Sequence, residues 1–273
     1  MIGQSLGVAA LRIAFMARRK KLDSSKVGLP VETVAFVSTS GMRIAGWFLP
    51  GVERRGAVLL LHGVTDNRSD MVGRMRFLNQ EGFAAFAIDF QAHGMSEGRT
   101  ITLGARESCD ARAAIGWLRA RLPNERIGVI AISLGGAAAL VGDAPIEADA
   151  LALESVYPDI ERATRNRFRF FAGPLGEPLS RAALACGEIA LGIDRRKLRP
   201  VDAIARVCSP VFVLSGGRDP WTPIEETREL FARARPPKLL WEVPGAGHVD
   251  LFDFAPTEYR RRMIAFLADA LSQ

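Results

Sequence analysis

Three residues of this chain have the types for nucleophilic attack on a carbonyl: Ser133, Asp219 and His248. Ser133 ends the apolar run Ile127-Gly128-Val129-Ile130-Ala131-Ile132 and precedes Leu134-Gly135-Gly136-Ala137-Ala138-Ala139-Leu140. The run reads as a buried strand and the small residues as the start of a helix, so the serine stands at the apex of a sharp turn. A side chain displayed there comes from a strained backbone, which demands small residues two before and two after it. Ala131 and Gly135 meet that demand. The backbone N–H of Leu134, opening the helix, would then face a developing oxyanion. A serine before glycines is also a common helix cap. The two readings separate on whether a base, an acid and a second oxyanion donor stand at neighbouring strand ends.

His62-Gly63-Val64-Thr65 follows the apolar Leu59-Leu60-Leu61. Gly63 lets the backbone turn close to a ligand, and the N–H of Val64 is the candidate second donor. Asp219 lies in Gly216-Gly217-Arg218-Asp219-Pro220-Trp221, after the apolar Val211–Ser215, where a carboxylate reaches inward. An aspartate before proline is otherwise an ordinary turn residue. His248 lies in Pro244-Gly245-Ala246-Gly247-His248-Val249-Asp250, a loop that two glycines allow to swing over a sheet edge. Of the three histidines in the chain, it alone stands in a strand-end loop after both serine and acid. His62 and His93 read as supports of their loops, as does Asp89 in Asp89-Phe90-Gln91-Ala92-His93-Gly94-Met95-Ser96.

The elements that must hold these residues are legible from periodicity. Val31–Val37 and Met42–Leu49, joined by Ser38-Thr39-Ser40-Gly41, form a hairpin and give the sheet an antiparallel start. Strands follow at Gly56–Leu61, Ala84–Asp89, Ile127–Ile132, Ala150–Glu154, Val211–Ser215 and Leu239–Val243. Helical patterns cover Asp70–Gln80, Leu103–Arg121, Leu134–Gly142, Ile224–Arg233 and Thr257–Leu271. Continuous apolar strands alternating with helices predict an α/β fold with a mostly parallel sheet of about eight strands and helices on both faces. The rhythm breaks at residues 155–199, where helices near Asp159–Phe171 and Leu179–Leu191 intervene between two buried strands. An insertion at a strand's C-terminal end sits where open α/β sheets bind ligands, so it reads as a helical cap or lid. The chain thus divides into an apolar, basic N-terminal helix (1–26), a core (27–154 and 200–273) and the cap insertion (155–199).

The serine, acid, histidine order, together with His62-Gly63, Asp89 to Ser96, Ala131 to Gly136, Gly217-Arg218-Asp219 and Gly247-His248, resembles the α/β-hydrolase superfamily from Val31 onward. The nearest likeness is to bacterial single-domain esterase, monoacylglycerol-lipase-like and prolyl-oligopeptidase-like branches. Ala131 stands where the first glycine is usual, and Gln91-Ala92 where Arg-Gly is common. The resemblance implies a serine hydrolase that forms an acyl-enzyme. Ser133 would be the nucleophile, His248 the base and Asp219 its orienting acid, with Val64 and Leu134 forming the oxyanion hole. A carboxylic ester is the leading substrate. An amidase, peptidase or thioesterase would use the same machinery, and a catalytically silent ligand-binding protein on the same fold is the alternative of another class. Phe168 and Phe171, with Phe170, are candidates for an apolar acyl pocket under the cap, or else belong to the cap's own core. Neither a metal nor an organic cofactor is called for.

Composition fits that reading. Of 273 residues, 48% are hydrophobic and 24% charged, which describes a globular, well-cored chain. The three cysteines, Cys109, Cys186 and Cys208, follow no disulfide or metal-site spacing and suit a reducing, cytoplasmic setting. The net charge of +6 is concentrated in two places and does not argue for nucleic acid. Residues 1–21 carry five cations (Arg12, Arg18, Arg19, Lys20, Lys21) and no acid beside a short apolar stretch. That stretch is too short and interrupted to span a bilayer. It reads as an interfacial helix making peripheral contact with the inner face of the membrane, or as a helix packed on the domain. Residues 155–200 carry nine cations against five acids. There Arg162, Arg165 and Arg169 share a helix face, read as solvated or, more sharply, as attracting an anionic substrate.

Overall fold

The computed structural model describes residues 19–23 and 27–272; of the N-terminal helix expected over 1–26, residues 19–23 are described and are not helical, and the others lie outside the described residues. Runs of apolar, branched residues become strands β1 (Glu32–Val37), β2 (Arg43–Leu49), β3 (Ala57–Leu61), β4 (Ala84–Ile88), β5 (Ile127–Ile132), β6 (Ala150–Glu154), β7 (Val211–Gly216) and β8 (Lys238–Val243). They form one sheet in the order β1-β2-β4-β3-β5-β6-β7-β8. β1 and β2 pair antiparallel with Val34 opposite Gly46, and β2 meets β4 antiparallel. Every later pairing is parallel.

A parallel pairing needs a crossover, and the apolar helix stripes supply it. The helices are α1 (Val72–Gln80), α2 (Glu107–Arg121), α3 (Leu134–Leu140), α4 (Ile160–Ala172), α5 (Gly176–Leu191), α6 (Pro200–Ala203), α7 (Ile224–Arg233), α8 (Leu251–Phe254) and α9 (Pro256–Leu271). Alternate residues of each central strand feed opposite cores. Val129 and Ala131 of β5 pack with Ala114, Leu118 and Ala138 of α2 and α3. Ile130 packs on the other face with Met75, Tyr259, Met263 and Leu267 of α1 and α9. Both faces of β3 to β6 are covered, which is why their sequences run apolar without alternation.

Strand order reverses at β3, whose neighbours are β4 on one side and β5 on the other. The chain therefore leaves the carboxyl ends of β3 and β5 toward opposite faces, opening a crevice at the point where such sheets bind ligands. Val64 follows β3 and Ser133 follows β5.

Two helices start three or more residues from where periodicity predicts. α2 begins at Glu107, not Leu103, because the Glu107 carboxylate turns back to accept from the amides of Thr102 at 2.8 Å and Gly104 at 2.9 Å. Those bonds hold the preceding residues in a turn, with Leu103 at φ 55°. α5 begins at Gly176, not Leu179. A 3-10 turn over Gly173–Leu175 closes the α4–α5 hairpin so tightly that a Cβ on Gly176 would lie 2.4 Å from the Arg169 nitrogen.

Candidate active site

Ser133 sits between β5 and α3 at φ 48°, ψ −105°, a conformation that a side-chain-bearing residue adopts only under constraint. The constraint is visible around it. Its amide donates to the Glu154 carbonyl at 2.8 Å, and its carbonyl accepts from Ala137 at 3.0 Å. α3 is drawn against β3 so closely that a Cβ on Gly135 would meet the Leu61 carbonyl oxygen at 2.5 Å. A capping serine would have extended backbone and a side-chain bond to the helix start, and Ser133 has neither. The hydroxyl instead lines a cleft of about 860 Å³ with Gly63, Val64, Ser155, Arg167, Trp221 and His248.

Asp219 and His248 come together across 29 residues because β7 and β8 are neighbours and their following loops are laced to each other. Gly217 donates to Val243 at 2.9 Å and Arg218 to Ala246 at 2.8 Å. Gly216 is glycine because a Cβ there would lie 2.3 Å from the Gly247 carbonyl oxygen. The Asp219 Oδ2 lies 2.7 Å from His248 Nδ1, and its Oδ1 accepts from the amides of Trp221 at 2.8 Å and Thr222 at 2.9 Å. A carboxylate held this way is acceptor-only, which assigns the Nδ1 proton of His248 to that bond and leaves Nε2 as the basic nitrogen. The His248 ring also packs on Trp221, centroid to centroid 4.9 Å.

The other two histidines bond to backbone groups of the loops around them, with His93 Nε2 buried and without a hydrogen-bond partner among the described residues. His62 Nδ1 lies 2.7 Å from the Gly63 carbonyl, while Nε2 accepts from the Phe90 amide at 3.1 Å. Both nitrogens are committed only if the ring is neutral, and burial, with His93 adding to it, pulls its pKa down to about 3. His93 Nδ1 meets the Gln91 carbonyl at 2.9 Å. Asp89 accepts from the Arg68 guanidinium, from the Arg68 amide at 2.7 Å and from the Met95 amide at 2.8 Å. All three tie down loops, as their sequence context implies.

The two phenylalanines assigned to an acyl pocket do not line this cleft. Phe168 faces a separate apolar cavity of about 270 Å³ between α4 and α5, with Leu103, Ile160, Leu184 and Leu198. Phe171 projects from the end of α4 and is 75% exposed. The phase of α4 decides this: one position before Phe168, Arg167 is the residue turned to the cleft. Arg162, on the expected basic face, is engaged by Asp159 and by Glu229 of α7.

A charged cluster beneath the His248 loop lay beyond sequence reasoning. Arg74 of α1 is fully buried and reaches both oxygens of Asp250 at 2.9 Å, Glu154 at 2.8 Å and the Tyr259 hydroxyl at 3.0 Å. The Tyr259 hydroxyl also donates to Glu154. Burial raises the Asp250 carboxyl, but the charge and hydrogen bonds of Arg74 outweigh it and hold the group below its usual range. The cluster joins α1, β6, α9 and the loop two residues beyond His248. Its only local signal is an arginine within the apolar stretch Met71-Val72-Gly73-Arg74-Met75.

At the N-terminal edge, Arg19 donates to the carbonyls of Gly94 at 2.9 Å and Gly98 at 2.7 Å. Lys20 pairs with Asp70 at 2.7 Å and Asp66 at 3.6 Å and borders the cleft. These two cations of the basic run therefore face the domain. Among the described residues no helix is long and apolar enough to cross a membrane.

Residues 58–262 match the model of the alpha/beta hydrolase family, spanning strands β3 to β8 and the insertion. The chain belongs to that family. It is 28% identical over 244 residues to the uncharacterized protein Rv2307c of Mycobacterium tuberculosis, covering 88% of this chain and 80% of that one. It is 26% identical over 264 residues to the alpha/beta hydrolase domain-containing protein WAV2 of Arabidopsis thaliana, covering 92% and 83%. Among solved structures it is similar to the Pyrococcus furiosus esterase Pf2001, with a TM-score of 0.75, 26% identity, and coverage of 94% of this chain and 98% of that one. Fold and family membership are those of a hydrolase.

Proposed function

We propose that this alpha/beta hydrolase cleaves a carboxylic ester through a serine acyl-enzyme, with Ser133, His248 and Asp219 as its triad. The observation that carries the reading is the 2.7 Å Asp219–His248 bond, made beside a serine held at positive φ on the same cleft. Likeness to an esterase at 26% identity over nearly the whole chain supports it.

Ser133 Oγ attacks the ester carbonyl carbon as its proton passes to Nε2 of His248, and the carbonyl π electrons move to oxygen. The amides of Val64 and Leu134 stabilise that oxyanion, each contributing about 3 kcal/mol in comparable sites. Collapse breaks the bond to the alcohol, which leaves with the proton from His248. Water repeats the sequence on the acyl-enzyme, releasing the acid and restoring Ser133. Asp219 keeps the imidazole in the tautomer that presents Nε2 and stabilises its cation.

The test is labelling with a fluorophosphonate and turnover of p-nitrophenyl esters of increasing chain length. Wild type should label at Ser133 and turn over short esters, and Ser133→Ala should lose labelling and at least about 10³-fold in kcat while keeping its circular dichroism spectrum. Near-wild-type labelling of Ser133→Ala would remove the nucleophile. A folded wild type that labels with nothing and hydrolyses no ester would favour the silent ligand-binding reading.

A further inference from the structure

The wall of the cleft carries an arginine that forms no ion pair among the described residues. Arg167 extends from α4 over the indole of Trp221, its guanidinium carbon 4.9 Å from the ring centroid. Trp221 in turn lies against His248 at 4.9 Å, so the guanidinium and the base touch the same indole. Arg167, Trp221, His248 and Ser133 all line the same cleft.

Among the neighbouring cations, Arg76 also lines the cleft but is exposed, its guanidinium reaching the Val27 carbonyl at 3.5 Å, and four others are paired. Lys20 is held by Asp70 and Asp66, Arg162 by Asp159 and Glu229, Arg195 by Glu161 and Glu188, and Arg199 by Asp202. Among the described residues Arg167 forms no ion pair; the Tyr157 hydroxyl, which donates to the Leu103 carbonyl, and Asp219, already bonded to His248, act on it only at a distance. Burial pulls its pKa below the ordinary arginine value, yet a guanidinium stays cationic at any pH where the protein is folded. A half-buried cation that has lost part of its hydration and faces a cleft has unspent capacity for a charge-assisted, bidentate bond. Stacking on Trp221 fixes the plane of the fork while leaving its N–H edge free.

Position selects which part of a substrate would meet it. In the acyl-transfer scheme, His248 delivers its proton to the departing alcohol, so the alcohol portion of the ester lies on the His248 side of Ser133. Arg167 is joined to that side by the indole that it shares with His248. We propose that Arg167 is a specificity-determining residue that receives an anionic group, carboxylate or phosphate, carried on the alcohol portion of the ester. The proposal rests on the serine ester-hydrolase reading and narrows its substrate class.

The experiment uses the full chain and matched butyrate esters at low ionic strength. 4-Nitrophenyl butyrate is the neutral reference, 3-carboxy-4-nitrophenyl butyrate places a carboxylate on the alcohol side, and mono-4-nitrophenyl glutarate places one on the acyl side. 1-Butyrylglycerol and its 3-phosphate repeat the alcohol-side comparison with phosphate. The readout is the ratio of kcat/KM for each anionic ester to its neutral partner. Arg167→Gln should lower the alcohol-side ratio about tenfold, chiefly through KM, as expected for loss of a charge-assisted bond. Arg167→Lys should recover part of it, and added salt should narrow the gap between wild type and Arg167→Gln. The carboxylate and phosphate pairs show which anion the residue prefers. An arginine that only props Trp221 would change both members of a pair equally, leaving the ratio at its wild-type value, and that result overturns the proposal. So does an Arg167-dependent ratio confined to the glutarate. Wild type that hydrolyses none of the esters overturns the ester-hydrolase reading itself, a different outcome from intact turnover with an unchanged ratio.

Discussion

The loops at the carboxyl ends of the strands and the helical insertion above them are built on opposite terms. On the sheet side, Ser133 and Asp219 are buried, the Asp219 carboxylate has three partners, and the floor beneath His248 is the Arg74, Glu154, Asp250 and Tyr259 cluster. On the insertion side, α4 buries only Ile160 and Ala163, while Phe170 and Leu175 are more than half exposed. Ion pairs such as Arg195 with Glu161 and Arg181 with Glu177 join side chains that reach solvent. Reactive groups must be held to a fraction of an ångström, and a buried, hydrogen-bonded setting does that. Under the proposed function, groups that only select a substrate tolerate a looser mount than groups that react.

That contrast breaks first at Arg74. Arg74→Met would leave Glu154 and Asp250 without their cation, and removing one partner of a buried pair costs about 3–5 kcal/mol. Chemical denaturation should show a loss of that size, and kcat for p-nitrophenyl butyrate should fall with it because Asp250 follows His248 by two residues. A loss below about 1 kcal/mol would mean that the cluster is not what holds the His248 loop.

Asp110 sharpens the comparison from the core side. It accepts from the Gln91 amide at 2.9 Å and the Ser40 hydroxyl at 3.1 Å, yet burial still raises its carboxyl from 3.8 to about 6. Between those values the folded chain keeps a proton that the unfolded chain has released. Its stabilising contribution is therefore complete below pH 3.8 and lost as pH rises through about 6. Asp110→Asn does not titrate, so its stability relative to wild type should rise by about 2 kcal/mol between pH 4 and pH 7. A flat difference across that range would show an ordinary carboxyl there.

The smallest effect is expected on the insertion. Phe171→Ser removes a ring that is 75% exposed and should change unfolding free energy by no more than about 0.5 kcal/mol, measured by urea titration. A loss of 2 kcal/mol would show that the tip of α4 is held as firmly as the sheet.

Much of this was legible in the sequence because it is decided locally. A strand that must stop at a serine, turn within one residue and enter a helix needs Ala131 before and Gly135 after, so the turn can be read from the residues that build it. Glycines at the ends of β7 and β8 marked the loops that carry Asp219 and His248 for the same reason. His62 and Asp89 were recognisable as supports because their loops are short and their partners few. The helix starts at Glu107 and Gly176 were misplaced because a carboxylate folding back on its own turn, and a hairpin closing on a backbone nitrogen, leave no mark on apolar spacing.

What the sequence by itself determined is the order of strands and helices, the antiparallel start, the place of the insertion and the three residues on strand-end loops. Each follows from periodicity or from a turn whose geometry admits few residue types. Only the tertiary structure decided that Arg74 meets Asp250 and Tyr259, 176 and 185 positions away, since nothing in an isolated helix says which partner its buried cation will find. It alone decided that Arg167, not Phe168 or Phe171, faces the cleft. Adjacent helix positions point about 100° apart, so the angle at which α4 docks on the sheet sets which of them sees Ser133, and that angle is a property of the whole packed molecule.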